Sequence, residues 1–418
     1  MTRIPGPRHT IAYASAVLVP LLLSACSGSF PNSTFTHLTE FNRDLTSLWN
    51  LMMGWGTFVF VLVEAILIYT IWRYRRRPNG PEPKHVHGNT AMEITWTIAP
   101  AIILVFIAVP TVRTIWKYGR EAPADAIRVD VIGHQWWWEF RYPDYNIVTA
   151  NELYLPVGRA VSFSLRTADV IHSFWIPQLA GKRDLVTNRT NHLWFTPDSV
   201  GVMAFNGSCN EYCGTSHANM RFRAFTVTAE DFDRWVAHQQ REAVFPAAAT
   251  GSATGGAAMA AVMPQQPAPA APAADAFAFP VENVPEHVIP DTPIPAGLAI
   301  DDAVLAGGDP QRGLETYSRS QCIACHTIRG NPMSRAVTGP DLTHVGSRLT
   351  IGAGLFPNDA RHLAAWIKNS RAMKPGVIMP TLGVGQYDPV LKTTVPESPA
   401  FLTDQQIADI VAYLMSLK

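Results

Sequence analysis

Two thiols, an imidazole and a thioether fall within twelve residues at Cys209, Cys213, His217 and Met220, and a second imidazole, His172, lies upstream in Val170-Ile171-His172-Ser173-Phe174-Trp175. Soft sulfur with imidazole favours copper or zinc over hard cations. A blue-copper site needs one thiolate, two imidazoles and a weak thioether. The second cysteine here allows each thiolate to bridge two copper ions, with one His on each and Met220 as an additional weak ligand. A Cys-x3-Cys spacing on a tight loop lets both sulfurs face one site. A small disulfide and a structural zinc site compete with this reading, although zinc rarely recruits Met. Met220 and His172 as ordinary core residues form the third alternative. The joint occurrence of all five side chains argues against each. A second constellation, Gln321-Cys322-Ile323-Ala324-Cys325-His326, spells C-x2-C-H. That spacing attaches a c-type haem through two thioethers, with His326 as an axial ligand. A redox pair or half a zinc site would lack the adjacent His or require a second C-x2-C.

Segments of different character must position these groups. Arg3 and Arg8 precede an apolar run from Ile11 to Leu23, then Leu23-Ser24-Ala25-Cys26, which reads as an export signal over residues 1–25. Its end has the form of a lipobox that would make Cys26 a lipidated first residue. Two apolar stretches, Thr46 to Trp72 and Thr95 to Trp116, each exceed the roughly 20 residues needed to cross hydrocarbon. Arg73, Arg75, Arg76, Arg77 and Lys84 lie between them and place that loop in the cytoplasm. The expectation for residues 26–120 is therefore a transmembrane hairpin with both ends outside. Pro100 and Pro110 interrupt the second span, where packing against neighbouring helices re-satisfies the freed carbonyls. Glu64, within the first span, reads as a neutral, hydrogen-bonded residue facing protein.

Residues 121–242 alternate β-branched and aromatic side chains, as in Arg128-Val129-Asp130-Val131-Ile132-Gly133, Ala160 to Leu165 and Arg223 to Val227. Short strands at this spacing indicate a Greek-key barrel or sandwich. Thr228-Ala229-Glu230-Asp231-Phe232 reads as the capped start of a short helix. Residues 243–300 are rich in Ala, Pro and Gly, a composition too poor in apolar area to offset chain entropy, and read as a tether. Residues 301–418 form a second redox domain that ends in a helix capped by Thr403, packed on a helix around Leu314 and Tyr317. The chain has 418 residues, 47% hydrophobic, with a net charge of zero that gives no reason to expect a nucleic-acid partner. Its five cysteines all fall in the three motifs above, leaving none for a structural disulfide.

From about residue 38 to about 235 the chain resembles the CuA domain of subunit II of haem-copper cytochrome c oxidases. The family pattern C-x-E-x-C-x3-H-x2-M is matched at Cys209, Glu211, Cys213, His217 and Met220, with the upstream His at His172. The resemblance implies a cupredoxin-like fold, a dicopper centre, and a copper contact from the backbone carbonyl of Glu211. The Glu211 carboxylate would turn toward a magnesium or manganese ion shared with subunit I. Gly133-His134-Gln135-Trp136-Trp137-Trp138 resembles the family segment G-x-Q-W-x-W, which puts Trp136 where electrons enter from cytochrome c. Two of the three tryptophans would be packing residues. Glu93, in Met92-Glu93-Ile94-Thr95-Trp96-Thr97, corresponds to a Glu at the entrance of the K proton pathway of subunit I, whereas by itself it is a helix-start charge. Lys182, Arg183, Asp184 and Arg189 correspond to a region that meets subunit I near its haem propionates and the magnesium site.

In the C-terminal part, Lys374-Pro375-Gly376-Val377-Ile378-Met379-Pro380 resembles the K-P-G-x2-M-P loop of class I cytochromes c, an all-α fold, making Met379 the second axial ligand. Met373 and Met333 are the other candidates. Gly339-Pro340-Asp341-Leu342 matches the loop whose proline carbonyl receives the haem-ligand His N–H, here from His326 to Pro340. The whole order resembles subunit II of a caa-type oxidase with its cytochrome c fused at the carboxyl end. That implies subunits I and III as partners, a soluble cytochrome c or another periplasmic donor, surrounding membrane lipid, and a bacterial inner-membrane location with the redox domains on the periplasmic face. Quinol oxidase subunits II lack the copper ligands, and nitrous-oxide reductases lack the hairpin and add a propeller. The competing reading is a membrane-tethered periplasmic electron carrier with no oxidase partner.

Overall fold

Two long apolar helices, α1 (Glu40–Arg73) and α2 (Thr90–Gly119), open the computed structural model. It describes residues 30–75, 87–198, 201–245, 277 and 279–418. The export signal with Cys26, the basic residues Arg76, Arg77 and Lys84, and residues 246–276 lie outside the described residues. Both helices are long and apolar enough to cross a membrane, with a mean hydropathy of 2.1 over their most apolar windows. They outrun the expected spans because polar caps extend them: Thr39 accepts the Asn42 N–H, and Asn89 the Met92 N–H. Phe60, Ile68, Leu104 and Phe106 are exposed outward, an apolar girdle suited to lipid or a partner helix.

The outer end of the hairpin is tied to the next domain by polar contacts. Thr39 Oγ1 donates to the Leu179 carbonyl at 2.5 Å, Asn42 Nδ2 to Pro177 at 3.1 Å, and Thr36 Oγ1 to Gln178 at 3.1 Å. Asp44 is bridged by Lys117 and by the Tyr118 hydroxyl, each at 2.7 Å, which closes the two helices on each other.

Ten strands then build a two-layer sandwich: β1 (Ile127–His134), β2 (Trp137–Tyr142), β3 (Ile147–Ala150), β4 (Glu152–Pro156), β5 (Val161–Thr167), β6 (His172–Trp175), β7 (Arg183–Leu185), β8 (Asn191–Phe195), β9 (Met203–Cys209) and β10 (Arg221–Val227). One sheet runs β3-β2-β1-β5-β8 and the other β4-β10-β9-β6-β7. β1 pairs in parallel with β5, and β10 with β4, while the remaining neighbours are antiparallel. Alternating burial along β1 and β5 reproduces the alternation in the sequence. β10 is buried on both faces, its outer side covered at Phe225 by Phe279 and at Arg223 by the Val288 and Gly354 carbonyls. Trp138, Phe140, Phe163, Phe174 and Phe222 fill the interior, all at or below 1% exposure. Each such side chain contributes about 1.5–3 kcal/mol by leaving water. Helix α3 (Ala229–Gln239) follows, capped by Thr228 as the sequence predicts.

The tether expected over 243–300 is packed rather than free across much of its described part. Phe277, Phe279 and Val288 are buried with the sandwich core, and Phe279 lies 4.6 Å from Phe225, ring centre to ring centre. Ala and Pro dominate the average composition of the segment, which hides these few large apolar side chains near its end.

The C-terminal domain holds α4 (Asp302–Ala306), α5 (Pro310–Arg319), α6 (Ala360–Met373) and α7 (Asp404–Ser416), with two short strand pairs. Thr403 and Gln406 cap α7 reciprocally. Tyr317 of α5 meets Tyr413 of α7 at 5.6 Å, in the helix–helix contact expected from the spacing. The domain is docked on the sandwich: Glu152 accepts the Leu349 N–H at 2.7 Å and the Thr350 N–H at 3.3 Å, and Arg223 donates to the Gly354 carbonyl at 2.7 Å.

Candidate metal and haem centres

The loop between β9 and β10 carries four of the five donor side chains. Cys209 closes β9, Cys213 lies in the loop, His217 opens a 3-10 turn over His217–Asn219, and Met220 immediately precedes β10. β6 delivers His172 from the neighbouring strand, since Phe174 and Trp175 pair with Cys209 and Ser208. The Cys209 N–H bonds the Met220 carbonyl at 2.9 Å, so the ends of the loop are held by the sheet ladder.

The donor atoms converge. Cys209 Sγ lies 3.8 Å from Cys213 Sγ and 3.8 Å from His172 Nδ1. Cys213 Sγ lies 3.7 Å from His217 Nδ1 and 3.8 Å from Met220 Sδ. The Glu211 carbonyl sits 3.3 Å from Cys209 Sγ. The ligand atoms of His172, Cys209 and Cys213 all lie within 4.8 Å of one another. A sulfur–sulfur separation of 3.8 Å is far beyond the roughly 2.05 Å of a disulfide, so the disulfide reading fails. Separations of this size suit sulfur and nitrogen sharing ions at roughly 2.0–2.3 Å each. Two thiols, two imidazoles, one thioether and one carbonyl therefore fit a dicopper centre.

The electrostatics prepare these donors. The contact with Cys213 and that with His172 hold the Cys209 thiol well below its ordinary range against burial, and the same contact together with burial pushes Cys213 up. Metal binding would draw both sulfurs into the thiolate form. Burial disfavours the charged form of His172, but Asp169 and Cys209 outweigh it and raise its pKa.

Asp169 is a residue that sequence reasoning missed. Its Oδ1 lies 2.8 Å from His172 Nε2, and its Oδ2 accepts the Gln135 N–H at 2.6 Å. A carboxylate on the far nitrogen orients an imidazole whose near nitrogen binds metal. The available signal was an Asp three residues ahead of the candidate His, in a stretch that reads only as a turn. Gly133 supplies a second support: a Cβ there would sit 2.7 Å from His172 Cδ2, so only glycine allows the ring to lie against β1.

Trp136 roofs the loop at 8% exposure, its Nε1 donating to the Cys213 carbonyl at 3.0 Å beside Gln135 Nε2 at 2.8 Å. Trp138 is in the core, 6.1 Å from His172 between ring centres, and Trp137 stacks on His134 at 4.2 Å. Glu211 is half-buried and Tyr212 points outward at 72% exposure. Asp184 accepts the Ser173 hydroxyl at 2.7 Å, next to the strand that bears His172. Glu93 stands exposed in the first turn of α2, far along the chain from this cluster, and Glu64 is half-buried within α1.

The second motif opens a cleft. Cys322, Cys325, His326, Pro340 and Met379 all line one cavity, together with Trp136 and Trp137 of the sandwich. The cleft is lined mostly by apolar side chains, among them Leu342, Leu363, Trp366, Ile367, Ile410 and Leu414. His326 Nδ1 is 2.8 Å from the Pro340 carbonyl, leaving Nε2 as the nitrogen available for an axial bond. Burial keeps this imidazole below its ordinary pKa and hence neutral, the form that ligates iron. Ser370 Oγ holds the Met379 carbonyl at 3.0 Å. Met373 is instead packed in the domain core and Met333 is 53% exposed, and neither lines the cleft. Two cysteines, an oriented imidazole and a thioether around an apolar cleft fit a covalently held haem.

The sequence matches the family models for the transmembrane domain of cytochrome c oxidase subunit II over residues 36–114, for its periplasmic domain over 146–227, and for cytochrome c over 310–418. It is 31% identical to cytochrome c oxidase subunit 2 of Alkalihalophilus pseudofirmus over 366 residues, spanning 86% of this chain and 83% of that protein. The corresponding protein of Bacillus subtilis is 31% identical over 379 residues, 86% of this chain and 88% of its own length. The crystal structure of the periplasmic domain of subunit II of cytochrome oxidase from Bradyrhizobium japonicum is 28% identical and covers 29% of this chain and 97% of its own, with a TM-score of 0.27. With the hairpin, the sulfur–imidazole cluster and the haem-motif cleft in this order, the chain belongs to the cytochrome c oxidase subunit II family and carries a cytochrome c domain at its carboxyl end.

Proposed function

We propose that the chain takes electrons from a periplasmic donor at its fused haem, passes them through the dicopper centre to subunit I, and so supplies oxygen reduction to water coupled to proton translocation. When bound, haem c and the dicopper centre supply one-electron carriers that turn over without large rearrangement of their ligands. The observation that carries the order is the shared cleft: Trp136 lines the haem cavity and also bonds the carbonyl of Cys213. His172, Cys209, Glu211, Cys213, His217 and Met220 hold copper in this reading, and Cys322, Cys325, His326 and Met379 hold haem, with Pro340 orienting His326. A sheet-anchored loop keeps the copper donors fixed, which limits reorganisation during transfer.

The Glu211 carboxylate would face a magnesium or manganese ion at the subunit I interface, near Lys182, Arg183, Asp184 and Arg189. The exposed apolar surface of the hairpin supports contact with lipid and with subunits I and III in a bacterial inner membrane, with both redox domains on the periplasmic side. Glu93, exposed at the other end of α2 from the sandwich, would gather protons for the K pathway of subunit I. Slower oxygen turnover with unchanged copper and haem spectra in Glu93→Gln supports that role, and normal turnover removes it.

Optical and EPR spectra of the detergent-purified protein test the central reading. A denaturation-resistant c-type haem, a copper signal delocalised over two ions, and co-purification with a multi-helix haem protein are expected. A chain purified with both centres and no such partner would instead be a tethered electron carrier.

A further inference from the structure

Lys374 is 1% exposed, and among the described residues no carboxylate pairs with its amine. Its Nζ donates to the Trp136 carbonyl at 2.6 Å and to the Gly352 carbonyl at 3.2 Å. Removing an amine from water is costly unless carbonyls or carboxylates take its hydrogens. A methionine would fill the same space without that cost, so the lysine's use lies in where its hydrogens go. The shorter of the two bonds crosses the boundary between the two redox domains, to the backbone of the residue that roofs the copper loop, while the other stays within the C-terminal domain.

The residues after Lys374 continue the contact. The Ser216 hydroxyl, one residue before His217, donates to the Pro375 carbonyl. Gly376 has φ +90°, and a Cβ on it would lie 2.7 Å from Trp136 Cζ3 and 3.4 Å from Thr215 Cβ. The backbone of the haem loop is therefore flat against the indole. Trp136 Nε1 in turn bonds the Cys213 carbonyl at 3.0 Å. A short path leads from Met379 along the backbone to Gly376, across a van der Waals contact to the Trp136 ring, and through its Nε1 hydrogen bond to Cys213.

We propose that Lys374 is a positioning residue that latches the loop Lys374–Pro380 onto Trp136, setting the spacing between haem and dicopper centre. This rests on the reading that Trp136 conducts electrons between them. It also means that Trp136 serves the chain's own haem, since the loop covers the ring that a soluble cytochrome would otherwise meet.

The test uses the assembled oxidase. Lys374→Met should leave the haem c and dicopper ligation, read from their spectra, intact while slowing haem-to-copper transfer in a single turnover severalfold, because electron tunnelling falls steeply with the separation of the two centres. Amide hydrogen exchange across residues 374–378 should rise in the same variant, a readout independent of turnover. Lys374→Gln, which keeps an N–H donor on a shorter stem, should fall between Met and wild type, and decides the matter by the same two readouts if the Met variant does not assemble. Wild-type transfer with wild-type exchange overturns the latch. Trp136→Gln separates the two claims: normal transfer in that variant with raised exchange in Lys374→Met removes the conducting role of Trp136 and leaves the latch standing as a docking contact.

Discussion

The two cofactor sites are built by opposite strategies. In the sandwich, donors from one loop and one neighbouring strand already lie within 3.3–3.8 Å of each other, held by sheet ladders and by Asp169 and Gln135. In the C-terminal domain, the attachment cysteines and His326 face an open, largely apolar cleft bounded by α6, α7 and loops. The copper site is a pre-formed cage that a small ion enters. The haem site is a core with its largest member missing from the chain. A fold can satisfy a cage with hydrogen bonds alone, but an apolar cleft reaches the close packing of a protein interior only when it is filled.

That contrast is open to attack, beginning with the largest effect. Replacing both Cys322 and Cys325 by Ala removes the covalent attachment, and the helical domain should lose stability on the order of its entire roughly 5–15 kcal/mol. Calorimetry and limited proteolysis should then show residues 301–418 unfolded while the copper signal of the sandwich persists. A stable haem-free helical domain would show that the cleft can collapse. Cys213→Ser should abolish the delocalised copper EPR signal yet change the melting of the metal-free sandwich by only about 1 kcal/mol. A surviving delocalised signal would contradict bridging by Cys213.

Asp169→Asn probes the support beneath the cage. It keeps size and removes charge from the partner of His172 Nε2, so copper affinity should fall about 10–100-fold, measured by competition with a chelator. Unchanged affinity would reduce Asp169 to a turn residue. The last test concerns the joint between the two sites. Burial raises the Glu152 carboxyl to about 7 from 4.5, against the pull of Arg348, the Leu349 and Thr350 N–H groups and Arg223. Because the folded pKa lies above the unfolded one, its stability contribution is complete below pH 4.5 and fades as pH rises through about 7. Glu152→Gln should flatten the melting temperature over that window, an effect on the order of 3 kcal/mol. A slope that survives the change would assign it to other groups.

What the sequence determined by itself was largely what is local. Cys209, Cys213, His217 and Met220 share one loop, and Cys322, Cys325 and His326 share one turn, so spacing pointed to soft-metal and haem chemistry, with the full copper ligand set resting on the family resemblance. Thr228 and Thr403 marked helix starts for the same reason, since a cap satisfies N–H groups two or three residues away. The hairpin was legible because hydrocarbon demands long apolar runs. Tertiary structure decided what depends on pairs distant in the chain. The β6–β9 register brings His172 to Cys209, Asp169 becomes the second partner of His172, and Phe277 and Phe279 are drawn from an apparent tether into the sandwich core. Lys374 is the extreme case, 238 residues from the carbonyl it grips. In sequence it is one charge in a loop motif, and only the folded boundary shows which carbonyls compensate its burial.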